Sequence, residues 1–187
     1  DVCSSDLAGA DLNFRNDAGH TALYYACKND RTDIIKLLAA RGADVGAGLH
    51  ISIELYHSQD ILEALVNSSG CDVNRMEATN KDDDPLSPLM VAAKTNSPEA
   101  IIKLLLEHNA DPDKVDSNNR TALSYAINTN SQENVKTLIK VTKKELNMSL
   151  KLLAESSIVI DQELGESVIE KIREENIPFL PLIQAAS

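Results

Sequence analysis

The sequence predicts an all-α solenoid of stacked helix-turn-helix units with short β-hairpin-like finger loops. Three observations predict it. Gly9-Ala10-Asp11 returns as Gly42-Ala43-Asp44, 33 positions later. Leu23 and Leu89 lie 66 apart, and Leu89 and Leu123 lie 34 apart, so the period is about 33. Around each leucine the string changes from turn residues to an apolar stripe of helical spacing. A fixed period of 20 to 50 residues is the mark of a repeat array.

The first helix of each unit opens on a recurring string: Thr21-Ala22-Leu23-Tyr24-Tyr25-Ala26-Cys27, Ser87-Pro88-Leu89-Met90-Val91-Ala92-Ala93 and Thr121-Ala122-Leu123-Ser124-Tyr125-Ala126-Ile127. Thr or Ser caps free backbone N–H groups, and the next position accepts proline, as a first helical residue should. Leucine with small residues three and four later forms one apolar stripe, and the small residues let helices approach closely.

A second stripe begins eleven or twelve residues past each leucine. It reads Ile34-Ile35-Lys36-Leu37-Leu38, Ile61-Leu62-Glu63-Ala64-Leu65-Val66, Ile101-Ile102-Lys103-Leu104-Leu105-Leu106 and Val135-Lys136-Thr137-Leu138-Ile139. Only a tight turn fits between the two helices, so they run antiparallel as a helical hairpin. Residues that accept positive φ stand at matching reversals. Gly19 matches Asn119, and Asp30, Asn96 and Asn130 share the inter-helix turn. Gly42, Gly70, Asn109 and Asn176 follow the second helix.

Taken together, the period, the helix-start string, the turn residues and the Gly-Ala-Asp ending (Asn109-Ala110-Asp111 in a later unit) resemble the ankyrin repeats, over residues 9 to about 142. The units are read as 9–15 (partial), 16–46, 47–74, 75–113, 114–142, 143–177 (divergent) and 178–187 (partial). Unit 47–74 keeps Leu49-His50 but is shortened, with its leading hairpin trimmed. Unit 75–113 carries extra length in the polar stretch 77–85, which is expected to form an elongated finger. Residues 1–7, DVCSSDL, resemble the translation of a sequencing-library adapter. Positions 1–8 are therefore read as a non-native or frayed end, and Cys3 is set aside.

Composition narrows the function classes. The 187 residues carry 18 basic and 29 acidic side chains, a formal charge of −11, with six aromatics and no tryptophan. A nucleic-acid binder wants a basic stripe and stacking platforms, and neither is present. A basic protein surface is the compatible partner. Three cysteines without framework spacing exclude a disulfide scaffold and point to a reducing, intracellular (cytoplasmic) compartment. No apolar run approaches the ~18 to 20 residues that a membrane-spanning helix needs.

Chemistry-bearing motifs are sparse. His50 and His57 stand seven apart with Asp60 nearby, but no further ligand arrives at zinc-site spacing. Cys27 and Cys71 occupy positions of small residues and are expected to be buried. Asp82, Asp83, Asp84, Asp111, Asp113 and Asp116 lack the spacing and glycine of a calcium loop. There is no phosphate loop and no nucleophile in a strand-turn-helix setting. No enzyme, metal or cofactor is expected.

What the resemblance implies is binding at finger tips and on the inner-helix surface. Matched to the repeat motif, the exposed positions are Asp17, Ala18, His20, Lys28 and Asn29 in the second unit. The fourth offers Asp83, Asp84, Leu86, Lys94 and Thr95, and the fifth Ser117, Asn118, Arg120, Asn128 and Thr129. Tyr25 and Tyr125 either meet a partner or pack between repeats. Tyr24 stands at the family's helix-start histidine position, which favours a structural role, and His50 at that position resembles a bracket between repeats. The expected function is a non-catalytic, monomeric protein–protein interaction scaffold. The rival reading is a targeting or substrate-recruitment segment of a larger enzyme or of a secreted effector, and a further rival is an intramolecular spacer.

Overall fold

Three hydroxyl side chains open three helices in the same way. Thr21 Oγ1 accepts the Tyr24 amide at 3.2 Å, Ser87 Oγ that of Met90 at 3.3 Å, and Thr121 Oγ1 that of Ser124 at 3.4 Å. Each satisfies one of the N–H groups that a helix start leaves open. Pro88 follows Ser87 at the first helical position, where its missing N–H costs nothing.

The computed structural model describes residues 11–17, 19–55, 59–78 and 84–175. The expectations for residues 1–8 and 178–187, and for Ala18, His57, Asp82, Asp83 and Asn176, lie outside the described residues. The chain divides into two compact units, residues 1–72 and 73–187.

In the first unit, α1 (Ala22–Lys28) packs on α2 (Thr32–Ala40) and on α3 (Val45–Glu54). Helix α4 (Gln59–Val66) packs on α3 and on α2. In the second unit, α5 (Pro88–Lys94) packs on α6 (Glu99–Glu107) and on α7 (Ala122–Asn128). Helix α7 packs on α8 (Gln132–Val141) and on α9 (Leu146–Glu155), α6 packs on α8, and α8 packs on α10 (Gln162–Glu174). First helices stack on first helices and second on second. Within each unit the buried side chains therefore form a ribbon between successive pairs, with Leu23, Ile35 and Leu49 in one unit and Leu89, Ile102 and Leu123 in the other almost wholly enclosed.

The reversals adopt the left-handed backbone that their residue types permit. The inter-helix turns have φ of 55° at Asp30 and 53° at both Asn96 and Asn130. After the second helix φ is 86° at Gly42 and 64° at Asn109. Among the described residues Glu145, at 51°, is the one left-handed residue that is neither glycine, asparagine nor aspartate.

Helix α3 departs from the pattern. Asp44, which ends one repeat, directly caps α3 by accepting the Gly46 amide at 3.2 Å. An extra turn of helix thus precedes Leu49 where other units place a finger. His50 consequently sits mid-helix and buried, with Nδ1 3.1 Å from the Gly46 carbonyl of its own helix.

Two expectations are corrected. Leu86 is buried, at 6% exposure. It exchanges both backbone hydrogen bonds with Glu77, each 3.0 Å, in an antiparallel bridge at the base of the finger insert. Standing just before the Ser87 cap, it is placed where an apolar side chain closes over the first helical turn. Cys71 is only partly buried, although that burial, with Asp72 and Asp44 nearby, pushes its thiol up to about 11. Cys27 is fully enclosed, and burial raises its thiol as well.

Candidate functional site

Each unit presents a finger turn locked to the helix that follows it. In the first, the Asn16 amide donates to the His20 carbonyl at 3.0 Å, and the His20 amide donates back to Asn16 Oδ1 at 3.0 Å. Asn16 Nδ2 then donates to the Tyr25 hydroxyl at 3.0 Å, which ties the turn to α1. The His20 ring stacks on Tyr24 at 3.7 Å, and Tyr25 meets both rings edge-on. Lys28 Nζ sits 5.9 Å from the Tyr24 ring centre. Asp17, Lys28 and Asn29 are exposed, and Tyr25 is 44% exposed. This is a small aromatic platform with a cation at its rim.

The second unit repeats the turn exactly one hundred positions later in numbering, with different chemistry. Asp116 replaces Asn16, Arg120 replaces His20 and Tyr125 replaces Tyr25. The Asp116 amide donates to the Arg120 carbonyl at 3.1 Å, and Asp116 Oδ1 accepts the amides of Asn118 and Arg120 at 2.8 and 2.9 Å. Oδ2 accepts the Tyr125 hydroxyl at 2.7 Å and Arg120 Nε at 2.8 Å. The Arg120 guanidinium lies 4.8 Å from the Tyr125 ring centre. Burial pushes the Asp116 carboxyl up, but the Tyr125, Arg120 and Asn118 donors outweigh it and hold the group below the usual aspartate range. Tyr125 is raised, first by burial and then by Asp116.

The predicted positions fall into three groups. Asp17, Lys28 and Asn29 in the first unit, and Asp84, Lys94, Ser117, Asn118 and Asn128 in the second, are exposed. Asn118 Nδ2 donates to Asp84 Oδ2 at 3.0 Å, which ties the finger base to the next turn. His20, Thr95, Arg120 and Thr129 are half-buried. Thr95 uses its hydroxyl on the Val91 carbonyl at 2.9 Å, and Thr129 on the Ala93 carbonyl of the preceding repeat at 3.2 Å. Leu86 and Tyr125 are buried and offer no contact surface, Tyr125 because its hydroxyl is held by Asp116 beneath Arg120.

Sequence reasoning missed Asn16 and Asp116 as organisers of the two turns. The signal was present: an Asx residue nine positions before a tyrosine, in the same register of two repeats. The aspartates Asp111 and Asp113 are likewise used internally. Asp111 Oδ1 accepts the Asp113 amide at 2.9 Å, and Asp113 Oδ1 accepts the amides of Lys143 and Lys144 at 2.6 and 2.8 Å. Among the described residues, no three metal-ligating side chains come together. No described helix is long and apolar enough to cross a membrane.

Comparison with known proteins agrees with this geometry. A family model described as ankyrin repeats, in three copies, matches residues 2–77 and 49–149. The B-cell lymphoma 3 protein homolog of Mus musculus is 30% identical over 141 residues, covering 71% of this chain and 31% of that protein. The neurogenic locus notch homolog protein 1 of Danio rerio is 28% identical over 141 residues, covering 71% of this chain and 6% of that protein. The chain thus spans less than a third of either relative.

Proposed function

The chain belongs to the ankyrin-repeat family, whose members are generally non-catalytic protein–protein interaction modules, and from that premise we propose that it binds a partner protein through its finger turns and first-helix surfaces. The observation that carries this reading is the pair of locked turns. Asn16 with Tyr25, and Asp116 with Tyr125, hold exposed side chains on a preordered backbone while the stacking faces are consumed by neighbouring helices. A surface already ordered loses less entropy on binding than a free loop.

Asp17, His20, Tyr25, Lys28 and Asn29 form the candidate patch of the first unit. Asp84, Lys94, Ser117, Asn118, Arg120 and Asn128 form that of the second, with Asp83 added by its place in the sequence. The formal charge of −11 favours a partner with a basic surface. Because the curated relatives are more than three times longer than the matched region, a second reading is a recruitment segment within a larger protein.

Affinity capture with the chain, followed by titration of the captured partner, tests the proposal. Two variants are compared: Tyr25→Ala with Lys28→Ala and Asn29→Ala, and Asp84→Asn with Ser117→Ala and Asn118→Ala. At least one is expected to weaken binding by about tenfold or more. Equal affinity for the wild type and both variants would remove these surfaces from the mechanism.

A further inference from the structure

The turn between α9 and α10 departs from the turns inside the earlier helix pairs. Residues 29–31, 95–98 and 129–131 join α1 to α2, α5 to α6 and α7 to α8, whereas the longer stretch 156–161 joins α9 to α10. The earlier turns carry no large apolar side chain, and this one reads Ser156-Ser157-Ile158-Val159-Ile160-Asp161. Ile158 is buried, but Val159 is 72% exposed and Ile160 54%. Among the described residues no large apolar side chain is more exposed than Val159. The turn is rooted at both ends. Ser156 Oγ donates to the Leu153 carbonyl at 2.7 Å and accepts the Ile158 amide at 3.3 Å. Asp161 Oδ1 accepts the Leu164 amide at 2.9 Å, and Ile160 Cγ2 stands 3.6 Å from where a Cβ on Gly165 would lie. Two β-branched side chains are thus held in water on an anchored backbone. Covering them gains hydration free energy and loses little rotamer freedom.

Carboxylates surround the pair. Glu155 ends α9 just ahead of the turn, and Glu166 follows it on α10, both exposed. Glu133 of α8, Asp161 and Glu163 converge on Lys136 Nζ at 3.4, 2.8 and 3.3 Å. The lysine side chain is only 9% exposed, whereas those of Glu133 and Glu163 are each 63% exposed and that of Asp161 is 41%. Lys140, 3.5 Å from Glu163, is the other cation of the group. Five carboxylates against two ammonium groups leave the surroundings of Val159 and Ile160 negative. The complement of such a surface is an apolar stripe edged with cations.

We propose that Val159 and Ile160 form a docking knob for a basic amphipathic helix of a partner protein. The apolar stripe of that helix covers the two aliphatic side chains, and lysines or arginines beside the stripe meet Glu133, Glu155, Glu163 and Glu166. The same carboxylates repel an anionic lipid surface. The knob follows the first helix of its pair, whereas the finger turns precede theirs, so the inference stands independently of the finger surfaces.

The probes are two labelled peptides of leucine and lysine, each about 18 residues or five helical turns long and identical in composition. One places all its leucines on a single helical face, and the other spreads them round the helix. By fluorescence anisotropy the chain is expected to bind the first at least tenfold more tightly than the second, and the bound peptide is expected to slow hydrogen exchange at residues 157–164 and not around Asp84 or Asn118. Val159→Ser with Ile160→Ser, which leaves every charge in place, is expected to abolish the preference. Val159→Ser alone, at the more exposed position, is expected to reduce it by threefold or more with an unchanged thermal midpoint, and it serves if the double variant loosens α10. Glu155→Gln with Glu166→Gln, outside the Lys136 cluster, is expected to weaken binding of both peptides. Equal affinity for the two peptides overturns the proposal, as do undiminished preference in Val159→Ser, unaltered binding in the two-glutamine variant, or protection at the fingers in place of the turn. Two further measurements name the other occupants. A dimer of the free chain that Val159→Ser abolishes gives the knob to a second copy, and cosedimentation with phosphatidylcholine vesicles that the same variant abolishes gives it to lipid; either result overturns the assignment.

Discussion

The Tyr125 hydroxyl donates a 2.7 Å hydrogen bond to Asp116 Oδ2, joining the first helix of a repeat to the turn that precedes it. The acceptor is ionised, its residue is 6% exposed and the tyrosine 7%. Removing the hydroxyl leaves a buried carboxylate oxygen short of a donor. Tyr125→Phe is therefore expected to cost about 1.5 kcal/mol in urea unfolding, in the lower part of the range for bonds to charged groups. In the first unit Tyr25 accepts from a neutral amide and is 44% exposed, so water replaces the lost partner. Tyr25→Phe is expected to cost less than about 0.5 kcal/mol. Equal losses in the two variants would show that neither charge nor burial distinguishes the two locks.

The same pair makes stability depend on acid. Asp116 titrates lower in the fold than a free aspartate near 3.9, because the Tyr125, Arg120 and Asn118 donors overcome its burial. The unfolded chain then binds the proton more readily. The stabilisation is present in full above the unfolded value and drains away as pH falls through the folded one. Asp116→Asn retains an amide oxygen for the Asn118 and Arg120 N–H groups, as Asn16 does for His20 in the first unit. Urea midpoints measured at pH 7, 4 and 3 are expected to fall less steeply for this variant than for the wild type. Parallel curves would take Asp116 out of the acid response.

Gly48 of α3 stands against Leu23 and Cys27 of α1 with no room for a side chain. A Cβ built there meets Leu23 Cδ2 at 2.7 Å and Cγ at 3.1 Å. Leu23 is 1% exposed and has no free side to move to. Gly48→Ala is expected to destabilise by about 1 to 3 kcal/mol, the usual range for an overpacked core, despite alanine's better helix propensity. Gly42→Ala tests a different cause. Nothing lies within 4 Å of the added atom, yet φ is 86°, so a loss of about 1 kcal/mol is expected from the backbone alone. Leu23→Val in the Gly48→Ala background should restore part of the first loss and none of the second. Failure of that rescue would locate the crowding elsewhere.

Much of the backbone was legible because its signals are local. The Thr21, Ser87 and Thr121 caps and the left-handed Asp30, Asn96 and Asn109 follow from residue type at fixed register. Helix α3 was harder to read, since Gly46 and Gly48 weaken its propensity and Asp44 serves as both a repeat ending and a cap. The surface was legible as positions and not as side chains. The motif places residues 25 and 125 alike, yet one tyrosine is exposed and the other covered, because Arg120 and Asp116 close over Tyr125 where His20 and Asn16 leave Tyr25 open. Position-by-position matching to the repeat motif puts Leu86 among the exposed places of its repeat. Its pairing with Glu77, a contact across the insert, turns it inward.

The last described helix pair is held differently from the pairs before it. Leu146, Leu150, Leu153 and Leu164 are buried, but polar contacts carry much of the junction between α8 and α10. Lys136, with a side chain 9% exposed, lies 2.8 Å from Asp161, 3.3 Å from Glu163 and 3.4 Å from Glu133. Asp161 raises the lysine's affinity for its proton, accepts from Gln132 at 2.7 Å and caps α10 through the Leu164 amide at 2.9 Å. One carboxylate therefore starts α10 and fastens it. In a stacked array each pair is stabilised by its neighbours alone, so damage at this hub stays local. The amides of α9 and α10 are expected to exchange before those of α5 and α7. Lys136→Ala is expected to speed exchange in α10 by tenfold or more while α5 is unchanged. Raising salt to about 1 M, where screening acts within about 3 Å, should move α10 in the same direction by a smaller factor, because the enclosed lysine is only partly reached by ions. Uniform protection along the chain, or loss in α5 before α10, would mean that the array unfolds as one body and that the Lys136–Asp161 contact does not set the order.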